Sequence, residues 1–153
     1  MSTNELIQRR ASMMQSRGDT TDYKALWIAR LSGTLSGEVV IPEEVTSLIN
    51  EAFAYNTGIT SLKTIATRVI GESLFTNARL TEVDLCSATT RIGWRAFTKV
   101  DTFICRATTP PTISNPVFSS APSIIKVPAS SVEAYKAATN WSTYASIITA
   151  IEE

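Results

Sequence analysis

Arg91-Ile92-Gly93-Trp94-Arg95-Ala96-Phe97 decides how the chain folds, because its pattern returns at a fixed interval. Aligned on the phenylalanine, the copies end at Phe53, Phe75, Phe97 and Phe118, at steps of 22, 22 and 21 residues. Five residues before each stands a branched aliphatic: Leu48, Ile70, Ile92 or Ile113. Five or six residues after each comes another apolar residue, Ile59, Leu80, Phe103 or Ile124. Apolar residues at constant phase in a repeat of this length are the signature of a solenoid, in which each coil buries its apolar side against the next.

Outward from that stretch, short strands recur about one coil apart: Val39-Val40-Ile41, Leu62-Lys63-Thr64, Val83-Asp84-Leu85, Phe103-Ile104-Cys105 and Ile125-Lys126-Val127. Alternation turns the outer two residues of each triplet inward and the middle one outward. Thr64 fits the inward position poorly, and Ile65 is the alternative there. The outward row is then Val40, Lys63, Asp84, Ile104 and Lys126, a mixture suited to a protein contact and equally to a solvated sheet. Between strands, the segment from aliphatic to phenylalanine reads as a short helical turn, as at Glu51-Ala52-Phe53 and Arg95-Ala96-Phe97. Pro42 and Pro128 share one phase just after a strand, where a missing N–H ends the ladder.

The predicted architecture is a β-rich solenoid of about four coils, each near 22 residues, with short strands, short helical turns and a helical cap at each end. Residues 1–37 read as N-terminal helices and cap, 38–129 as the solenoid and 130–153 as the C-terminal cap, all one cooperative domain. In the first segment Ser2 and Glu5 have capping-box spacing and Gly18 stands where a C-terminal cap would lie. Its apolar residues, Leu6, Ile7, Ala11, Met13 and Met14, include the 4-then-3 stripe Ile7, Ala11, Met14. That stripe is expected to pack on the solenoid end or to serve as an assembly helix for self-association or partner docking, methionine being an adaptable contact residue. Residues 20–32 place Tyr23, Leu26, Trp27 and Leu31 on one face and are assigned as the N-terminal cap. Trp141, Tyr144, Ile147 and Ile148 are expected to close the other end.

Composition narrows the function classes. Lysine plus arginine and aspartate plus glutamate both number 14, so the formal net charge is zero and no field attracts nucleic acid or an anionic membrane. No stretch reaches the roughly 18–20 apolar residues that span a bilayer, so membrane insertion is not expected. Met1 to Arg17 lacks the apolar core of a secretory leader, which predicts synthesis in the cytoplasm without a signal peptide.

Val45-Thr-Ser-Leu-Ile-Asn-Glu-Ala-Phe53 and Thr90-Arg-Ile-Gly-Trp-Arg-Ala-Phe97 resemble the V-T-x-I-G-x-x-A-F core of BspA-type leucine-rich repeats. Lys126-Val-Pro-Ala-Ser-Ser-Val-Glu-Ala-Tyr-Lys136, continued by Asn140-Trp141-Ser142, is similar to the terminal segment that follows such repeats. The chain departs from the pattern at two phases. The cysteine common three residues after the phenylalanine is replaced by Asn56, Ala78, Val100 and Ala121. Glycine four residues before it is kept only at Gly71 and Gly93, with Ile49 and Ser114 at the other two places. The resemblance implies a right-handed leucine-rich-repeat solenoid acting as a non-enzymatic binding or structural module. Its short members without a leader look phage- or prophage-encoded, so a virion component such as a tail, fibre or decoration protein is the first expectation. A surface or secreted adhesin is the alternative, and an intracellular scaffold comes third.

The chemistry of the side chains agrees with a binding role. The chain has no histidine, the commonest general base and a frequent metal ligand, so no catalytic residues, metal or cofactor are expected. Cys86 and Cys105 form no C-x-x-C pair, and Cys105 occupies an inward strand phase. Neither a phosphate-binding loop nor a dinucleotide fingerprint occurs. The remaining candidate contact residue is Trp94, with Arg91 and Arg95 as cationic neighbours that can stack on its ring. Packing between coils is the competing role for it.

Overall fold

The computed structural model describes residues 36–54 and 56–152. Two parallel sheets run along the molecule. The larger is built from β1 (Ser36–Ile41), β3 (Gly58–Thr64), β5 (Phe75–Leu85), β7 (Phe97–Cys105), β9 (Ile124–Val127) and β10 (Ile148–Ala150), neighbours in that order. The smaller is built from two-residue strands, β2 (Ser47–Leu48), β4 (Val69–Ile70), β6 (Arg91–Ile92) and β8 (Thr112–Ile113). Each coil contributes one strand to each sheet, and every pairing is parallel. The chain is a β-rich leucine-rich-repeat solenoid.

Register turns the repeat into rows. Val39, Leu62, Val83, Phe103, Ile125 and Ile148 lie side by side across the larger sheet, all buried. Leu48, Ile70, Ile92 and Ile113 form the inward row of the smaller sheet, at most 4% exposed. Phe53, Phe75, Phe97 and Phe118 stack between them, with successive ring centroids at 5.3, 6.1 and 6.0 Å. Phe103 closes this stack edge-on, 5.6 Å from Phe97 and 5.0 Å from Phe118. Offset-stacked and edge-on rings are the favoured aromatic arrangements, so the core gains from ring geometry as well as from burial.

Three expectations need correction, and one open choice is decided. The segment from aliphatic to phenylalanine is a short strand and then a tight turn, where a helical turn was expected. Glu51, Ser73 and Arg95 there have φ of 61°, 49° and 47°, a left-handed conformation no α-helix contains. The fourth coil has a cis Asn115–Pro116 bond at the same place. Thr64, not Ile65, fills the inward position of β3, because its hydroxyl accepts the Cys86 N–H at 2.9 Å; Ile65 is 50% exposed. Leu80 pairs in register with Val100, while Phe103 aligns with Val83, so Phe103 belongs to the strand row rather than to the phase assigned to it. Finally, β10 adds a sixth strand to the larger sheet that the repeat pattern gave no sign of.

Gly71 and Gly93 are required by close approach. A Cβ on Gly71 would lie 2.4 Å from the Ile49 carbonyl carbon, and one on Gly93 would lie 2.7 Å from the Glu72 backbone nitrogen. Each glycine thus lets one coil settle on the backbone of the coil before it.

After β9 a 3-10 turn (Ala129–Ser131) leads into α1 (Val132–Ala137), and a second 3-10 segment (Ser142–Ile147) precedes β10. Tyr135, Trp141, Tyr144 and Ile148 are buried in the common core, whereas Ile147 is only partly so. The Trp141 indole N–H donates to the Pro111 carbonyl at 2.8 Å, and the Asn140 amide to that of Ile113 at 2.8 Å. The expected N-terminal cap, including Trp27 and Leu31, lies outside the described residues.

Phe97 touches both neighbouring rungs of the stack and is fully buried. Phe97→Ala is expected to cost about 3–5 kcal/mol of folding stability, read from urea denaturation. A loss under about 1 kcal/mol would contradict the rung assignment.

Candidate protein-binding surface

The predicted outward row of the larger sheet exists as a row. Register aligns Val40 with Lys63, Lys63 with Asp84, Asp84 with Ile104 and Ile104 with Lys126. Its centre is closed to solvent, however, with Asp84 at 8% and Ile104 at 9% exposure. Arg106 grips Asp84 with two charge-assisted bonds, Nε to Oδ1 at 2.8 Å and Nη2 to Oδ2 at 3.1 Å. Such a fork fixes both side chains and leaves the carboxylate little capacity for another partner. Beside this row Arg79 reaches Asp101 at 3.3 Å. Among the described residues, the strands of the larger sheet carry no exposed bulky apolar side chain.

The opposite side differs. Ile65, Val69 and Trp94 are the exposed large hydrophobic residues among those described, at 50%, 36% and 41%. Val69 stands on β4 and Trp94 in the turn after β6, both on the smaller-sheet side, while Ile65 directly follows β3 of the larger sheet. Trp94 is therefore partly exposed at the surface, with the rest of the residue covered. The Arg95 guanidinium lies 4.6 Å from the centre of its ring, within cation–π range. Arg91 stands instead on β6, paired in register with Val69.

The turn presenting this group is pinned on both sides by backbone bonds. The Ser73 N–H donates to the Trp94 carbonyl at 3.0 Å, and the Arg95 N–H donates to the Pro116 carbonyl at 2.8 Å. The indole is thus held out from a fixed support, which lowers the entropy lost on contact. A shallow groove of about 370 Å³ opens beside it on the first two coils, lined by Ser47, Leu48, Ile49, Asn50, Val69 and Gly71. Val69 and this groove escaped sequence reasoning because the segment was read as a helical turn. Period-two alternation around the aliphatic, with Ser47, Val69, Arg91 and Thr112 outward, was the available signal. The assembly-helix residues Leu6, Ile7, Ala11, Met13 and Met14 lie outside the described residues.

Neither cysteine has the surroundings of a reactive thiol. Cys86 donates to the Thr67 carbonyl at 3.3 Å, and Cys105 lies in the core. Burial pushes the Cys105 thiol above its ordinary range, opposed by its hydrogen bonds to Tyr135 and to the Ala107 backbone. The Tyr135 hydroxyl, which donates to the Ala107 carbonyl at 2.7 Å, is likewise pushed far up by burial and by Cys105. Among the described residues no group of three or more Cys, Asp or Glu side chains comes together as metal ligands would, and no helix is long and apolar enough to cross a membrane.

Parallel strands stacked coil on coil, with inward aliphatics and a phenylalanine rung in each, make a parallel β-solenoid. The chain carries a BspA-type leucine-rich repeat region: residues 32–104 match the family model described as BspA type Leucine rich repeat region (6 copies). The structure continues the same register beyond the match, through β9. No curated protein matches the chain in sequence. Repeats of this family are protein-binding modules and typically non-enzymatic.

The buried thiol and phenol give the fold a defined pH dependence. Their folded-state pKa values exceed the unfolded ones, so the native state holds its protons longer and the stabilising contribution is complete below the unfolded values. Urea midpoints should be flat from neutral pH to roughly 8.5 and fall above it, as the unfolded chain's thiols and phenols ionise. Tyr135→Phe should make that fall shallower; an unchanged slope would mean that Tyr135 does not stay neutral in the native state.

Proposed function

We propose that this chain is a non-enzymatic protein-binding module whose contact surface is the smaller-sheet side, centred on Trp94. The observation that carries the reading is the exposure of Val69, on β4, and of Trp94, in the turn after β6, on that side. Exposed aromatic and arginine side chains on a rigid support are what protein contacts draw most of their energy from. The larger sheet, whose central charges are already paired, is the framework.

A photo-crosslinking phenylalanine analogue in place of Trp94 should yield covalent adducts with a protein in the native setting, while the same analogue at Lys63 on the larger sheet should not. Adducts from position 63 alone would move the contact to the larger sheet.

The setting we propose is a phage or prophage particle, where the module serves as a tail, fibre or decoration subunit. What supports this is the resemblance of the opening, with Tyr23-Lys-Ala-Leu-Trp-Ile-Ala-Arg30 ahead of the repeats, to short chains of that kind. Particles purified from the source strain should carry the chain when probed with an antibody against it. Absence from particles, with labelling of intact cell surfaces, would favour the adhesin reading instead.

A further inference from the structure

On the smaller-sheet side the first and third coils carry opposite charges, arranged in the same rows. The first coil, residues 36–57, holds Glu38, Glu43, Glu44 and Glu51 and no lysine or arginine. The second and third coils, residues 58–106, have more basic than acidic residues, with Arg68, Arg91 and Arg95 on or beside the smaller sheet. Glu51, Ser73 and Arg95 occupy one row at the same turn position, two residues before Phe53, Phe75 and Phe97. Asn50, Glu72 and Trp94 form the adjacent row. Both Glu51 and Arg95 are exposed. Among the described residues neither has an ion-pair partner.

We propose that the partner of this face is a second copy of the chain, packed face to face with its axis reversed about a two-fold through the second coil. This rests on the reading of the Trp94 side as a protein-contact surface and names its occupant. A two-fold running along the strand direction leaves each row facing itself and exchanges the first coil with the third. Glu51 of each copy then meets Arg95 of the other, about two strand spacings (~10 Å) from its own copy's Arg95. Trp94 of each copy meets Asn50 of the other, at the mouth of the groove lined by Ile49, Asn50, Val69 and Gly71. The two Val69 side chains meet near the axis. The parallel alternative sets third coil against third coil, and arginine against arginine.

Isologous contacts of this kind are the commonest in soluble oligomers and close on themselves without forming fibres. Arg68 and Glu72, in the axial second coil, face their own counterparts and repel them, so the attraction comes from the first and third coils. The contact should accordingly weaken as salt screens it.

Charge exchange tests the arrangement. Glu51 and Arg95 share the same left-handed backbone conformation, with φ of 61° and 47°. Each substitute is thus a residue the same turn already accommodates in another coil. In sedimentation equilibrium the full chain should be a dimer, and Arg95→Glu or Glu51→Arg alone should raise its dissociation constant roughly tenfold or more, by setting like charges together. The double variant Glu51→Arg/Arg95→Glu should regain the wild-type constant to within a few fold. A monomeric wild-type chain overturns the dimer, and if position 94 still crosslinks to another protein, the proposed binding function survives. A dimer indifferent to both single changes but lost on deleting residues 1–18 also overturns it and assigns assembly to the first segment.

Discussion

Everything in this molecule depends on the parallel backbone ladder. Parallel pairing holds each coil about 4.8 Å from the next, leaving no freedom in how far apart equivalent residues lie. Once the larger sheet fixes that spacing, each phase of the repeat becomes a row and each row must suit its own neighbours. Phenylalanine satisfies this by stacking, with centroids 5.3–6.1 Å apart and planes tilted by 15–28°. Glycine satisfies it where the backbone of the preceding coil fills the place of a Cβ. Threonine satisfies it by bonding one coil down, as Thr67 does to the Val45 carbonyl at 2.9 Å and Thr90 to that of Arg68 at 3.2 Å.

The same constraint explains which parts of the fold were legible in the sequence. Rows repeat, so whatever a row demands of every coil shows as periodicity. The inward strand positions, the aliphatics and the four phenylalanines were readable for that reason. Features belonging to a single coil leave no period. The Asp84–Arg106 fork joins residues 22 apart but occurs once among the described residues, and β10 follows a segment with no repeat at all. The smaller sheet was missed for a different reason. A two-residue strand followed by a left-handed turn carries too few residues to show alternation, and Ala52, Leu74 and Ala96 in the next turn favour helix by propensity. Tertiary register overrode that propensity, since Phe53, Phe75 and Phe97 each donate their N–H across to the next coil at 3.0–3.2 Å.

The candidate site was legible only in part, and its legible part was chemical. Trp94 and its arginines stand out in a chain with three tryptophans and no histidine. Val40, Lys63, Asp84, Ile104 and Lys126 do align in one row, but Asp84 and Ile104 at its centre are closed to solvent. What the sequence could not convey is how charges on neighbouring strands spend one another. Asp84 and Arg106 neutralise each other in the middle of the larger sheet, and Arg79 and Asp101 do so beside it. Arg95, lying against an indole instead of a carboxylate, keeps its charge available.

A solenoid face is in effect a one-dimensional pattern, one residue per coil in each row. Complementarity between two such faces therefore reduces to the order of residues along the axis. A row reading acid, neutral, base is its own complement when reversed, and it needs only three coils to be so. Glu51, Ser73 and Arg95 form such a row, in turns of one shared backbone conformation. The backbone is indifferent to which of the three side chains sits in which coil, because each already occupies that turn. The order is consequently free to be set by what the face meets, whereas the phenylalanine and glycine rows beneath it are not. This separation lets the architecture stay constant while the side chains at the turn positions two and three residues before each phenylalanine vary.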